Sequence, residues 1–143
     1  MTNIVLSPDE FRYMQVFHDI TGVMPIDCII DNEYDRIIFL VKSEEVGKAV
    51  GKRGSKVRWL KDALKKNIEI VGYSDKLNEL VANILAPAKV TSVRVASTSN
   101  GKIAYVKVDP RHKGIAIGKE GRNVAKARLI LKRHFGIDSV VIV

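Results

Sequence analysis

Two short stretches of the chain combine residue types that can hold an anion. Val50-Gly51-Lys52-Arg53-Gly54 and Ile117-Gly118-Lys119-Glu120-Gly121 share the order aliphatic-Gly-Lys-x-Gly. Glycine, without a Cβ, lets a negatively charged backbone come close, and a loop that opens a helix points free amides toward that anion. A lysine inside the loop adds a mobile, charge-assisted donor. A plain helix–helix turn needs one glycine at a helix end. Here two glycines stand at fixed spacing, with lysine between and a basic helix after, and the arrangement occurs twice.

Other chemistries fit less well. The nucleotide-binding P-loop requires G-x-x-x-x-G-K-[ST]; Gly47 to Lys52 and Gly114 to Lys119 are each one residue short of it, and Arg53 and Glu120 cannot supply the magnesium-binding hydroxyl. The loops also follow short helical stretches instead of strands, which removes a dinucleotide fingerprint as well. His18, His112 and His134 are scattered, without the cysteine or carboxylate spacing of a metal site, so no metal and no cofactor is expected. Cys28, next to Ile29 and Ile30, reads as a small core residue. No acid pair or nucleophile constellation recurs in both stretches, and catalysis is not expected.

The elements that must position the loops follow from a repeat. Shifting the chain by 67 residues lays Gly47–Gly54 on Gly114–Gly121, Val57 on Val124, Leu64 on Leu131 and Lys65 on Lys132. That period is too long for a solenoid and suits two copies of one small domain, residues 1–73 and 74–143, each marginal alone and so expected to pack on the other. In the first copy, Ser7-Pro8-Asp9-Glu10 predicts a capped helix start, with Phe11, Met14 and Phe17 or His18 on the apolar face, Tyr13 beside them, and an end at Gly22. Strands are expected over 27–30 and 36–42, a short helix over 44–50, a longer helix over 55–66 with Val57, Leu60 and Leu64 buried, and a strand over 68–71. The second copy predicts a helix over 75–85, strands over 89–96 and 102–108 joined at Asn100-Gly101, helices over 111–117 and 122–135, and a strand over 138–142. The order is α-β-β-α-α-β twice, an α+β fold in which each three-stranded sheet packs on helices.

Composition and charge agree with a polyanion partner. The 143 residues are 46% hydrophobic and 28% charged, as in a soluble globular protein. A lone cysteine excludes an internal disulfide framework, and no apolar run approaches the ~20 residues of a membrane span. Met1 to Glu10 shows no basic region before an apolar core, so no signal peptide is expected and a cytoplasmic location follows. The formal net charge of +8 is concentrated: residues 48–66 carry eight bases and one acid, and residues 111–133 repeat that count, whereas residues 1–47 carry three bases and nine acids. Two equal basic segments in equivalent settings point to a polyanion.

The aliphatic-Gly-x-x-Gly loop between two helices resembles the KH domain, and the order with a helix and strand in front resembles its type II form. KH loops clamp a single-stranded backbone, with about four nucleotides in the adjoining groove. Gly118-Lys119-Glu120-Gly121-Arg122-Asn123-Val124, with Ala125, Ala127 and Arg128, is similar to the second KH domain of the NusA family of transcription factors. His18 to Cys28, together with Arg36-Ile37-Ile38-Phe39, is similar to the start of that family's short archaeal form. The bacterial form also has a polymerase-binding domain and an RNA-binding barrel, which this sequence is expected to lack.

The resemblance implies a monomeric, non-catalytic tandem of type II KH domains that binds single-stranded RNA and holds nascent transcript near RNA polymerase. Gly51, Gly54, Gly118 and Gly121 would admit the phosphodiester backbone. Lys52, Arg53, Lys56 and Arg58, with Lys119, Arg122 and Arg128, would neutralise phosphates. Val50, Val57, Ile117 and Val124 would floor the bases or serve as ordinary core. Glu120 repels phosphate, so the second loop is expected to grip less tightly than the first. Asn123 would bond a base or cap its helix, and Trp59, about 130° from its helix's buried stripe, would pack between domains or stack on a base. Both basic segments are expected on one face, giving a track of about eight nucleotides. A ribosome-assembly or rRNA-binding KH protein is the alternative, and a phosphate-binding enzyme a remote one.

Overall fold

A computed structural model describes residues 4–143 of the chain. The first three residues of the stretch read as free of a signal peptide, and of the 1–73 domain, lie outside the described residues. The chain forms two compact units, one comprising Val5–Ser74 and the other containing Asp75–Val143.

The first unit runs α1 (Pro8–Thr21), β1 (Asp27–Asp31), β2 (Arg36–Lys42), a single 3₁₀ turn (Ser43–Glu45), α2 (Val46–Val50), the glycine loop, α3 (Ser55–Leu64) and β3 (Asn67–Tyr73). The start of α1 is the expected capping box: Ser7 Oγ accepts from Glu10 N and the Glu10 carboxylate accepts from Ser7 N. Gly22 closes the helix in the left-handed region at φ 76°. The sheet order is β1-β2-β3, antiparallel then parallel, with Cys28 opposite Phe39 and Phe39 opposite Ile70. The parallel pairing requires a crossover, and α2, the loop and α3 supply it.

Ile37, Phe39 and Val41 alternate onto one face of β2 and pack with Phe17, Val23, Cys28, Ala49 and Leu60. The rings of Phe17 and Phe39 lie 4.3 Å apart, anchoring α1 to the central strand. Cys28 is fully buried, as its place beside Ile29 and Ile30 implies. Arg36, at the other end of β2, is buried against Asp31 at 2.7 Å and Glu69 at 2.6 Å, an ion-pair network that crosses all three strands.

The second unit repeats the plan: α4 (Leu77–Leu85), β4 (Val90–Thr98), β5 (Gly101–Val108), a 3₁₀ turn (Pro110–His112), α5 (Lys113–Ile117), the second loop, α6 (Arg122–Phe135) and β6 (Ser139–Ile142). Its sheet, β4-β5-β6, has the same antiparallel and parallel pairings. Ala104, Val106 and Val108 alternate into the interior, where Leu80, Ile84, Ile130 and Leu131 are also buried.

The α+β order of both copies is as expected; β3 and β4 each run two residues past their expected ends, and further details differ. Phe11 is 65% exposed, because α1 turns Tyr13, Met14, Phe17 and Ile20 inward instead. α3 stops at Leu64, two residues early, because Lys65 takes a left-handed conformation at φ 59° and its N–H closes on Lys61 O at 2.8 Å. α4 starts at Leu77 instead of 75, following an extended Lys76. The β4–β5 hairpin turns at Ser99-Asn100, with Thr98 paired to Gly101. Gly101 opens β5 at φ 114°, and the Asp138 carboxylate fills the space where a Cβ would lie, so this position is held for glycine.

Candidate nucleic-acid interface

Each loop is built from the same backbone. Gly51 has φ 79°, ψ 167° and Gly118 has φ 79°, ψ 168°, a region open in practice to glycine alone. A 3₁₀ turn follows, Lys52–Gly54 or Lys119–Gly121, and inside it Arg53 (φ 56°) and Glu120 (φ 57°) both sit left-handed. Gly54 (φ 73°) and Gly121 (φ 79°) then lead into α3 and α6. The hydrogen bonds match as well: Gly51 N donates to Gly47 O at 3.0 Å and Gly54 N to Gly51 O at 3.1 Å, and Gly118 N donates to Gly114 O at 2.9 Å and Gly121 N to Gly118 O at 3.1 Å. Two sequences that differ at the third loop residue, Arg against Glu, thus adopt one conformation.

The first glycine of each loop is required by the chain itself. A Cβ on Gly51 would stand 2.7 Å from Lys56 Cγ and 2.9 Å from Lys56 N, and one on Gly118 would stand 2.9 Å from Asn123 N and Cγ. The loop folds flat against the first turn of the helix it precedes, and neither α3 nor α6 has a side-chain N-cap. An uncapped helix start beside a lysine is suited to an anionic oxygen.

Position 56 and its counterpart 123 perform one structural job with different side chains. Lys56 Nζ donates to Lys48 O at 3.1 Å, and Asn123 Nδ2 donates to Ile115 O at 2.8 Å; residues 48 and 115 are themselves 67 apart. Each bond ties the helix after the loop to the helix before it. The longer lysine reaches further and also donates to Thr21 O, at the end of α1, at 3.1 Å. Lys56, expected among the phosphate-neutralising residues, is therefore half-buried and holds the loop's walls together. Asn123, for which base contact and helix capping were open, instead bonds the carbonyl of α5. Arg58 has a related part, donating from Nη1 to Arg53 O at 2.5 Å across the first loop.

The remaining expected residues fall where a ligand can meet them. Lys52, Arg53, Lys119, Glu120, Arg122 and Arg128 are exposed. Lys52, Lys119 and Arg128 form no ion pair among the described residues. Val50, Val57 and Val124 are half-buried, and Ile117 is exposed, so each unit presents apolar surface beside its loop. Trp59 is 62% exposed. The carbonyl acceptors at 48 and 115 and the anchor at Asp109 were not singled out from sequence. The first two had a signal in the repeat, which pairs them at the same offset as 56 and 123. Asp109 accepts from Arg111 through its side chain at 2.9 Å and from Arg111 N at 2.9 Å, and these bonds lower its pKa to about 2.

Two α-β-β-α-α-β units, each with a glycine-lysine-x-glycine loop between its last two helices, define a tandem of type II KH domains. A family model described as "NusA-like second KH domain" matches residues 77–141, and one described as "KH domain" matches residues 12–75. The chain is 35% identical over 137 residues to "Probable transcription termination protein NusA" of Halococcus morrhuae, covering 96% of each protein. It is 31% identical over 143 residues to the protein of that name from Methanocaldococcus jannaschii, covering all of this chain and 77% of the relative. A solved structure described as "Crystal structure of APE1850" is 44% identical, with a TM-score of 0.91 over 96% of this chain and all of the other. The chain belongs to the NusA family and carries two of its KH domains.

Proposed function

We propose that this protein is a non-catalytic, single-stranded RNA-binding factor of transcription elongation and termination, holding nascent RNA near RNA polymerase. Its domains, residues 1–73 and 74–143, each clamp one stretch of strand. Gly51 to Gly54 and Gly118 to Gly121 receive the phosphodiester backbone; Lys52, Arg53 and Arg58, with Lys119, Arg122 and Arg128, supply the positive charge. Val50, Val57, Ile117 and Val124 lie against the bases. Lys56 and Asn123 serve the site by keeping each loop closed on its helix. The protein acts as a monomer in the cytoplasm, and both clamps engage one strand.

The observation that carries this reading is the identity of the two loop backbones, φ and ψ included, over a sequence that changes from Lys-Arg to Lys-Glu. A conformation kept while side chains vary belongs to the backbone's own role, and a helix start without a side-chain cap, beside a lysine, is suited to phosphate. The relatives' name, probable transcription termination protein, supports this process. Fluorescence anisotropy with a labelled single-stranded RNA tests the proposal. Binding that weakens steeply with salt, and that falls severely in the Lys52→Asp/Arg53→Asp variant, is expected. Salt-independent binding, or a variant that binds as the parent does, would overturn it. Crosslinking in cells, followed by sequencing of the attached RNA, tests the transcriptional setting.

A further inference from the structure

The loops do not account for all the nucleic-acid chemistry on α3. Trp59 is the chain's sole tryptophan and stands 62% exposed in the middle of this helix. One turn before it lies Ser55, the first residue after the loop, and one turn after it lies Asp62. Asp62 lines a cavity of about 300 Å³ together with Asp35, Lys61, Lys65, Lys66 and Asn67. Lys61 and Lys65 form no ion pair among the described residues, and Lys66 pairs with Asp35, a largely exposed carboxylate, at 3.2 Å. Three ammonium groups face two carboxylates, so the cavity is cationic, and the Lys66–Asp35 pair is of the exposed kind that an incoming phosphate can displace at little cost.

We propose that Trp59 and the Lys61–Lys65–Lys66 cavity extend the RNA track as a second subsite, in which one base stacks on the indole and a phosphate further along the strand lies among the lysines. The inference rests on the reading of the Gly51–Gly54 loop as an RNA clamp, and it extends the strand past that clamp along α3. At ~1.5 Å per residue, Trp59 lies ~7 Å beyond Gly54 along the helix and Lys65 ~9 Å further, spacings a strand leaving the loop crosses without folding back. The surroundings favour a nucleotide over a protein side chain. Of the residues one turn from Trp59 on α3, namely Ser55, Lys56, Asp62 and Ala63, only the small Ala63 is apolar, so the helix offers the indole no broad apolar rim for a hydrophobic partner, whereas a base needs one flat π-face and a nearby cation.

The subsite belongs to the first unit alone. Lys61, Lys65 and Lys66 correspond to Arg128, Lys132 and Arg133 after the 67-residue shift, but Trp59 corresponds to Lys126, which is 7% exposed, and Lys132 is bonded to Asp138.

The test uses the full chain and an unlabelled 12-nucleotide RNA of randomised sequence, followed by tryptophan emission, with anisotropy of the fluorescein-labelled RNA measured in parallel. Quenching of Trp59 is expected as RNA binds. Trp59→Leu should weaken binding at least about fivefold, the low end of one lost base stack, and Trp59→Phe should restore most of it. Lys61→Gln/Lys65→Gln should weaken binding and flatten its salt dependence. Binding seen by anisotropy with unchanged emission overturns the subsite and leaves the clamp standing. So does quenching without an affinity loss in Trp59→Leu, because proximity alone can quench. If the Lys61→Gln/Lys65→Gln variant binds as the parent does, the phosphate assignment falls. No anisotropy change at all removes the clamp reading and the subsite with it.

Discussion

Gly51 and Gly118 show how a motif glycine can answer to its own chain before it answers to a ligand. Both sit at φ 79° with ψ near 167°, and in both the missing Cβ is replaced by the first turn of the following helix, at 2.7–2.9 Å. Alanine at either position meets backbone strain and a collision with a backbone nitrogen together, so each substitution should cost on the order of 1–3 kcal/mol. Urea denaturation of Gly51→Ala and Gly118→Ala checks this: the midpoint should fall in both, and a midpoint equal to the parent's would show that the loop relaxes freely. Lys56 allows a sharper comparison. Its ammonium bonds Lys48 O and Thr21 O, so Lys56→Met should lower stability as well as RNA affinity. Lys52→Met, at an exposed and unpaired side chain, should lower affinity alone. Equal stability of the two variants would return Lys56 to the phosphate-binding set.

At the scale of elements, the pieces that hold the loops are set by local signals, and one of these can be titrated. Asp109 ends β5's connection into the short helices, accepting from Arg111 N and pairing with the Arg111 guanidinium, and its carboxyl titrates at about 2. A carboxyl depressed in the folded state contributes stability above its unfolded pKa, and that contribution is lost as pH falls from about 4 toward 2. The Asp109→Asn variant should therefore lose less stability than the parent across that window in acid unfolding followed by circular dichroism; parallel curves would show that Asp109 is not a source of acid sensitivity. Much of this layer was legible in the sequence. The capping box at Ser7, the alternation of Ile37, Phe39 and Val41, and the 67-residue repeat each report a periodic or nearest-neighbour rule that operates without tertiary context. The misses share a cause. Phe11 and Lys65 depend on which way α1 rotates and on where a left-handed residue ends α3, and the Lys56 and Asn123 braces depend on a carbonyl eight residues away in a different helix. Spacing marks Lys56 for phosphate and Asn123 for a base or a helix cap, and only packing decides which carbonyl each side chain reaches.

For the molecule as a whole, the consequence is two loops of one geometry and unequal charge on a single chain. The first loop carries Lys52 and Arg53, a formal +2, and the second carries Lys119 and Glu120, a formal zero. Because the loop backbones coincide, the charge of a loop can be varied while its backbone is held constant. Glu120→Arg gives the second loop the composition of the first at a left-handed position where arginine already sits at residue 53, so the substitution adds no new backbone strain. It should raise RNA affinity and steepen the dependence of log K on log salt, by about 0.7 for one added phosphate contact on a single strand. Lys52→Asp/Arg53→Asp should flatten that slope by about twice as much, and Lys119→Asp by about as much as Glu120→Arg steepens it. Salt-titrated anisotropy on the four proteins with one 12-nucleotide RNA measures all of these. If Glu120→Arg left both affinity and slope unchanged while Lys52→Asp/Arg53→Asp abolished binding, the second loop would carry no strand, and the protein would be a single clamp whose duplicated partner serves another purpose.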